Sequence, residues 1–261
     1  MRFVSKGVLL FVLACLFATL PARADSFVNG NFQTGDFTGW TQGGGYWYGG
    51  WPLNPSSYLP GGSNYNVSGN RSAIVTDYLD PRTDNNLHSV LSPNTYAARV
   101  NDQNTWDYTV SVISQEVKNY TDPKIYFAWA AVLQGSHDIT DSDNFTLQLT
   151  DNTTGKDLYN VSYSSASAAG TSLFTESSWG WYYTPWQVQA LDVSALQGDD
   201  FTLTLLASDC PYGAHAGYVY LDGFGAVPPP VGGVPEPATL VLLGSGLAAF
   251  AGKIRRRRKS V

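Results

Sequence analysis

The chain is poor in cysteine, methionine, histidine and charge. Its 261 residues include 2 cysteines, 1 methionine and 3 histidines, and only 14% are Asp, Glu, Lys or Arg. With Cys15 and Cys210 alone there is no disulfide-stapled scaffold and no C-x-x-C module. If Cys15 leaves with an N-terminal leader, Cys210 has no intramolecular partner. It then either pairs between chains or is buried as a small hydrophobe, and burial is the expectation. His88, His137 and His215 stand apart, and His215 five residues after Cys210 is too little for a zinc site. H-E-x-x-H and G-x-S-x-G are both missing, so metalloprotease and nucleophile-elbow chemistry lack their residues. Carboxylates are available for acid–base work, but no pair is singled out, and the chain is expected not to be an enzyme. Long apolar runs occur only at the two ends.

At the N-terminus, Arg2 and Lys6 precede an apolar stretch from Gly7 to Leu20 and the A-x-A site Ala22-Arg23-Ala24. This is the pattern of a secretory signal peptide over 1–24, with Asp25 as the first mature residue. Val12-Leu13-Ala14-Cys15 approximates a lipobox and leaves a lipid on Cys15 as an alternative. At the other end, Val234-Pro235-Glu236-Pro237 leads into an apolar run from Ala238 to Gly252, then Lys253 and the basic cluster Arg255 to Lys259. That run is somewhat short for a bilayer, which takes about 20 helical residues. Flanking lysine and arginine snorkel to the interface and stay on the cytoplasmic side, leaving the body outside the cytoplasm.

This tail resembles the PEP-CTERM sorting signal of Gram-negative, exopolysaccharide-producing bacteria. The resemblance implies a transmembrane helix that holds the protein transiently in the inner membrane. An exosortase-type processing enzyme then cuts near Val234, Pro235, Glu236 and Pro237, and the product passes to the cell surface or extracellular matrix. An ordinary C-terminal membrane anchor is the alternative.

Both ends are basic, which hides the character of the middle. Three of the fifteen basic residues lie in the leader and six in the tail, against twenty acidic residues in the body. The body over 25–234 therefore carries a net charge of about −14, which repels nucleic acid and favours divalent cations.

That body reads as all-β, a single jelly-roll-like antiparallel β-sandwich over 25–227, followed by a Pro/Gly linker over 228–234 and the sorting segment over 235–261. Phe145, Leu147 and Leu149 alternate with Thr146, Gln148 and Thr150, the period of a half-buried strand. The turn Asp151 to Gly155 returns Leu158 to Tyr163 as the second arm of a hairpin. Further strands are expected at Phe27–Gln33, Ser72–Val75, Tyr96–Asn101, Tyr108–Val117, Lys124–Leu133, Trp181–Asp192, Phe201–Ser208 and Tyr218–Val227. Lys124 to Leu133 is apolar on both faces and belongs in the centre of a sheet.

Two body segments carry a further resemblance. Phe27-Val28-Asn29-Gly30-Asn31-Phe32-Gln33 through Trp40 is similar to the opening strand of galactose-binding-like jelly rolls, many carbohydrate-binding modules among them. Asp209-Cys210 with Gly213 to Gly223 is similar to the closing strand of PEP-CTERM ectodomains. The resemblance implies a structural calcium between first and last strands, held by the Asn31 carbonyl, Gln33 and Asp222. Gln33 departs from the glutamate usual there and supplies no charge, and Asp222 capping the closing turn is the alternative. The loop Asp138, Asp141, Asp143, Asn144 lacks calcium-loop spacing and is expected to be a solvated turn.

Aromatic residues are the remaining chemical resource. Tyr46, Trp47, Tyr48 and Trp51 sit among glycines beside Asn54, Asn64 and Asn66. Such rings stack on the apolar faces of sugars while amides bind the hydroxyls, so these four are the expected carbohydrate-binding residues, with a loop packed over the sandwich edge as the alternative. Trp181, Tyr183 and Trp186 are expected in the core, as are Trp40, Trp106 and Trp129. The expected function is that of an exported, non-catalytic, carbohydrate-binding-like matrix or surface protein associated with exopolysaccharide. A sugar-blind structural scaffold and a glycan-active hydrolase are the alternatives.

Overall fold

The computed structural model describes residues 26–229. The expected signal peptide and the expected helix at 238–252 lie outside the described residues. Among the described residues no helix is long and apolar enough to cross a membrane.

Alternating apolar side chains build two antiparallel sheets that face each other across one core. The first sheet has the order β1 (Thr41–Tyr46), β4 (Thr109–Val117), β11 (Phe201–Ser208), β6 (Asn144–Asp151), β7 (Lys156–Ser164). The second runs β2 (Ala73–Thr76), β3 (Tyr96–Val100), β12 (Gly217–Gly225), β5 (Lys124–Gln134), β9 (Trp181–Tyr183), β8 (Thr175–Glu176). A further strand, β10 (Gln187–Asp192), pairs with the first half of β5. Successive strands β3 to β6 alternate between the sheets, as do β11 and β12, which is the jelly-roll-like sandwich expected. The only α-helix among the described residues is the single turn α1 (Ser165–Ala168), with Ser164 and Ser167 capping each other.

Strand β5 shows why a doubly apolar sequence belongs in the middle. Ile125, Phe127, Trp129, Ala131 and Leu133 point between the sheets, against Leu147, Leu149, Leu203 and Leu205. Ala130 and Val132 point outward and are covered by a second cluster containing Leu87, Trp181, Tyr183, Tyr218 and Tyr220. There the buried Asp80 carboxylate accepts from the Tyr218 hydroxyl at 2.7 Å and the Tyr220 hydroxyl at 2.8 Å. Arg82 lies 5.1 Å over the Trp181 ring. Trp181 and Tyr183 are thus buried as expected, on the outer face of the second sheet, while Trp186 is half-buried beside them.

The outer face of the first sheet is covered as well. Trp47, Leu53 and Tyr58 pack on Val110, Val112 and Leu206. Glycine in β1 makes this possible. A Cβ at Gly44 would lie 2.5 Å from the Asn70 nitrogen, and one at Gly45 would lie 2.4 Å from the Asn64 carbonyl oxygen. The strand surface is bare backbone, and the segment around residues 58–70 lies directly on it.

Four expectations are corrected. Trp181–Asp192 is two strands, β9 and β10, rather than one, and Asp143 and Asn144 of the expected solvated turn are fully buried, Asp143 accepting from the Ser165 hydroxyl at 2.8 Å. Phe27–Gln33 is a series of turns, with Asn29 and Phe32 at φ 50° and 56°. A Cβ at Gly30 would overlap the Phe224 carbonyl oxygen, so this segment crosses the closing strand through one Phe224 N–H to Gly30 carbonyl bond of 2.9 Å. Trp106 is 87% exposed and outside the core, whereas Trp40 and Trp129 are buried. Trp106 sits in an Asn104-anchored turn ahead of β4, where the Asn104 side chain accepts its backbone N–H.

These environments separate two tryptophans cleanly. Trp47→Ala is expected to lower unfolding free energy by about 3–5 kcal/mol, as for other buried tryptophans. Trp106→Ala should stay within about 0.5 kcal/mol of the parent in urea titrations. Equal losses would contradict the packing described.

Candidate functional site

The residues expected to bind sugar are divided by the fold. Trp47 is 2% exposed, and its indole N–H donates to the Asp209 carbonyl at 2.7 Å. It cannot stack on a ligand, and its role in a sugar platform is corrected to that of an anchor. The neighbouring Tyr48 points the other way and is 78% exposed. Half-buried Tyr46 is tethered through its hydroxyl to the Ser68 carbonyl at 3.1 Å.

Tyr46, Tyr48, Tyr58, Asn64, Tyr65 and Asn66 line an open pocket of about 510 Å³ beside β1. Tyr65 is exposed. Asn66 uses its side-chain oxygen to cap Ser68 at 3.0 Å, leaving its N–H₂ group without a partner among the described residues. The pocket thus offers exposed rings and an amide donor on a backbone held by Trp47.

Trp51 belongs to a different groove, of about 410 Å³, with Pro52, Leu53, Thr146, Gln148, Asn160 and Ser162. The four polar residues are the outward members of β6 and β7, paired Thr146 with Ser162 and Gln148 with Asn160. The Trp51 indole N–H is buried there without a hydrogen-bond partner. An unpaired buried donor costs roughly 1–3 kcal/mol, so it marks a place where an acceptor would be favourable. The loop 47–58 therefore separates two polar hollows on one outer sheet face. Tyr65, Gln148 and Asn160 were not picked out from the sequence. Outward alternation in the β6–β7 hairpin is the signal that would have found the latter two.

The three residues expected to hold calcium are held by amide hydrogen bonds instead. The Gln33 side-chain N–H₂ donates to the Asn31 carbonyl at 2.6 Å and to the Tyr96 carbonyl at 3.0 Å, while its oxygen accepts the Thr95 N–H at 3.0 Å. These three partners fix which end of the amide is nitrogen. The buried Asp222 carboxylate accepts from the Asn94 N–H₂ at 2.9 and 3.0 Å and from the Gly223 N–H at 2.7 Å. The Asn31 carbonyl thus already carries a donor, and Gln33 presents nitrogen where a cation would require oxygen. This donor set does not fit a calcium cage.

Burial raises the Asp222 carboxyl to about 7, against the lowering effect of Asn94 and the backbone N–H groups. An acid raised above its unfolded value of about 3.9 stabilises the fold most at low pH. As pH rises from about 4 to about 7, the unfolded chain ionises first and that stabilisation is lost. Asp222→Asn should flatten this part of the profile, so wild type loses melting temperature relative to the variant across the window. Parallel profiles would show that the Asp222 carboxyl titrates alike in the folded and unfolded chain.

Calcium itself gives an independent check. The melting temperature of the parent should be the same in EDTA and in millimolar calcium, whereas Gln33→Glu, which supplies the missing carboxylate, should melt higher with calcium than without. A calcium-dependent parent would show that the amide clasp gives way to the ion.

Two of the three histidines that stand apart in the sequence meet in the fold. His137 and His215 have ring centroids 4.9 Å apart, next to the fully buried free thiol of Cys210.

Comparison with known proteins bears chiefly on the tail. Residues 233–258 match the model of the PEP-CTERM protein-sorting motif, which implies export, exosortase processing and sorting to the cell surface. No relative among curated proteins matches the chain. Among solved structures the chain is similar to TmCBM61 in complex with β-1,4-galactotriose, at 14% identity over 77% of this chain and 96% of that one, TM-score 0.38. It is similar to a non-crystalline cellulose specific carbohydrate-binding module, CBM28, at 12% identity over 76% and 92%, TM-score 0.36. A third is Caldicellulosiruptor saccharolyticus CBM27-1 in complex with mannohexaose, at 12% identity over 60% and 81%, TM-score 0.34. At such identities any ligand chemistry has to come from this chain's own residues.

Proposed function

We propose that the protein is a non-catalytic polysaccharide-binding protein of the cell surface or extracellular matrix, and that it holds its ligand on the outer face of the five-stranded sheet. The observation that carries the reading is the open pocket where Tyr48 and Tyr65 stand exposed beside the unpartnered amide of Asn66. Aromatic rings shed little conformational entropy on stacking, and a rigid backbone under them keeps the ordering cost of binding low. Trp47, locked to Asp209, supplies that rigidity. The polar groove at Trp51, Gln148 and Asn160 extends the same face.

The charge of the body narrows the ligand class. A net charge of about −14 disfavours uronic-acid polymers, so the expected partner is a neutral polysaccharide, such as a neutral exopolysaccharide of the surrounding matrix. The sorting tail supports this setting, because it carries the protein to the compartment where such polymers accumulate.

The test is retention on immobilised neutral and acidic polysaccharides, with melting temperature measured in parallel. Tyr48→Ala combined with Tyr65→Ala should leave melting unchanged and weaken retention at least tenfold, while neutral polymers are retained over acidic ones. Unchanged retention by the folded double variant would overturn this surface as the binding site. Absence of retention in the parent would leave the sugar-blind scaffold as the description of the molecule.

A further inference from the structure

The loop between β11 and β12 is built around Cys210. Its N–H donates to the His215 carbonyl at 2.9 Å, and the Gly213 N–H returns to the Cys210 carbonyl at 3.2 Å. Gly213 takes φ 67°, which lets the chain turn back within these few residues. The turn aims the Ala214 N–H at Cys210 Sγ, 3.4 Å away, and brings His215 Nδ1 to 3.6 Å from the same sulfur. His137 enters from the loop between β5 and β6. That loop is pinned alongside by the Gln134 N–H to the Ala216 carbonyl at 3.0 Å and by the Ala216 N–H to Gln134 Oε1 at 3.2 Å. One ligand atom from each of His137, Cys210 and His215 lies within 4.8 Å of the others.

We propose that His137, Cys210 and His215 form a binding site for a thiophilic transition-metal ion of the Zn²⁺ class, with a fourth position open toward Tyr212. The distances suit such an ion. Zinc holds sulfur at about 2.3 Å and imidazole nitrogen at about 2.0–2.1 Å, so tetrahedral ligands of these two kinds stand about 3.6 Å apart. The Cys210–His215 pair already has that separation. His137 is exposed on its loop, and a small rotation of its ring closes the third edge.

The chemistry of the surroundings agrees. The His215 ring is half-buried, with Nδ1 turned to the sulfur. The Ala214 N–H donated to the sulfur orients it, as outer-shell donors orient metal ligands. The Tyr212 ring meets the His137 ring edge-on at 5.1 Å. The loop that carries His137 also carries the carboxylates Asp138 and Asp141, whose charge favours a cation. Cys210 is fully buried, which removes it from disulfide exchange between chains and leaves its sulfur facing the imidazoles. This site is separate from the residues assigned to polysaccharide.

The full chain, kept reduced, is titrated with Zn²⁺ by calorimetry and with Co²⁺ by absorption. One ion per chain is expected, with a thiolate-to-cobalt charge-transfer band and tetrahedral ligand-field bands, and Ca²⁺ should not compete. His137→Ala should weaken Zn²⁺ binding at least tenfold without changing the melting temperature of the metal-free protein, because that ring is exposed. Cys210→Ser should remove the charge-transfer band. Absence of stoichiometric binding in the parent overturns the site. Binding that survives His137→Ala undiminished, or a cobalt spectrum without thiolate character, overturns this ligand set.

Discussion

One buried carboxylate organises the end of the sandwich where the functional features gather. Asp209 closes β11 and is fully buried. One of its oxygens accepts from Asn101 Nδ2 at 2.8 Å; the other accepts from the Thr109 hydroxyl at 2.6 Å and from the Thr109 N–H at 3.1 Å. Asn101 also donates to the Gly217 carbonyl at 2.9 Å. Residues at the ends of β3, β4, β11 and β12 are thus joined in one network that crosses between the two sheets. Burial pushes the Asp209 carboxyl well above the usual range, and the nearby Asp107 adds to it. A buried carboxyl left in such a place without donors would be costly, and these partners satisfy it.

Both functional hypotheses hang from this residue. Its backbone carbonyl holds the Trp47 indole, which fixes the loop carrying Tyr48 and pins the wall between the two polar hollows. The residue that follows it is Cys210, whose sulfur faces the two imidazoles. Loops carry chemistry only when a rigid scaffold positions them, and here one anchored residue positions two loops.

What was legible in the sequence follows from the range of the interactions concerned. The β6–β7 hairpin and the buried β5 declare themselves through neighbours one and two residues away, and both form as expected. Phe27–Gln33 did not, because its conformation is set by Phe224 across the sandwich and by left-handed residues that alternation does not reveal. Trp47 looked like an exposed ring among glycines. The glycines instead allow chain to lie flat on β1, and the indole's partner lies 162 residues away in sequence. The three-residue Cys–His cluster was invisible for the same reason, since β5 and β12 must pair before their loops meet.

The amide clasp at Gln33 and Asn94 shows how one side chain decides what such a junction can hold. Two carbonyls facing each other across a strand junction need positive charge or N–H donors between them. A glutamate at position 33 would add negative charge and make a cation necessary. Glutamine reverses that requirement, because its N–H₂ satisfies the Asn31 and Tyr96 carbonyls by itself. Asn94 donates to Asp222 as well, but an amide neutralises no charge, and burial still raises that carboxyl to about 7. The junction is closed by these hydrogen bonds, and the burial of Asp222 makes it sensitive to pH.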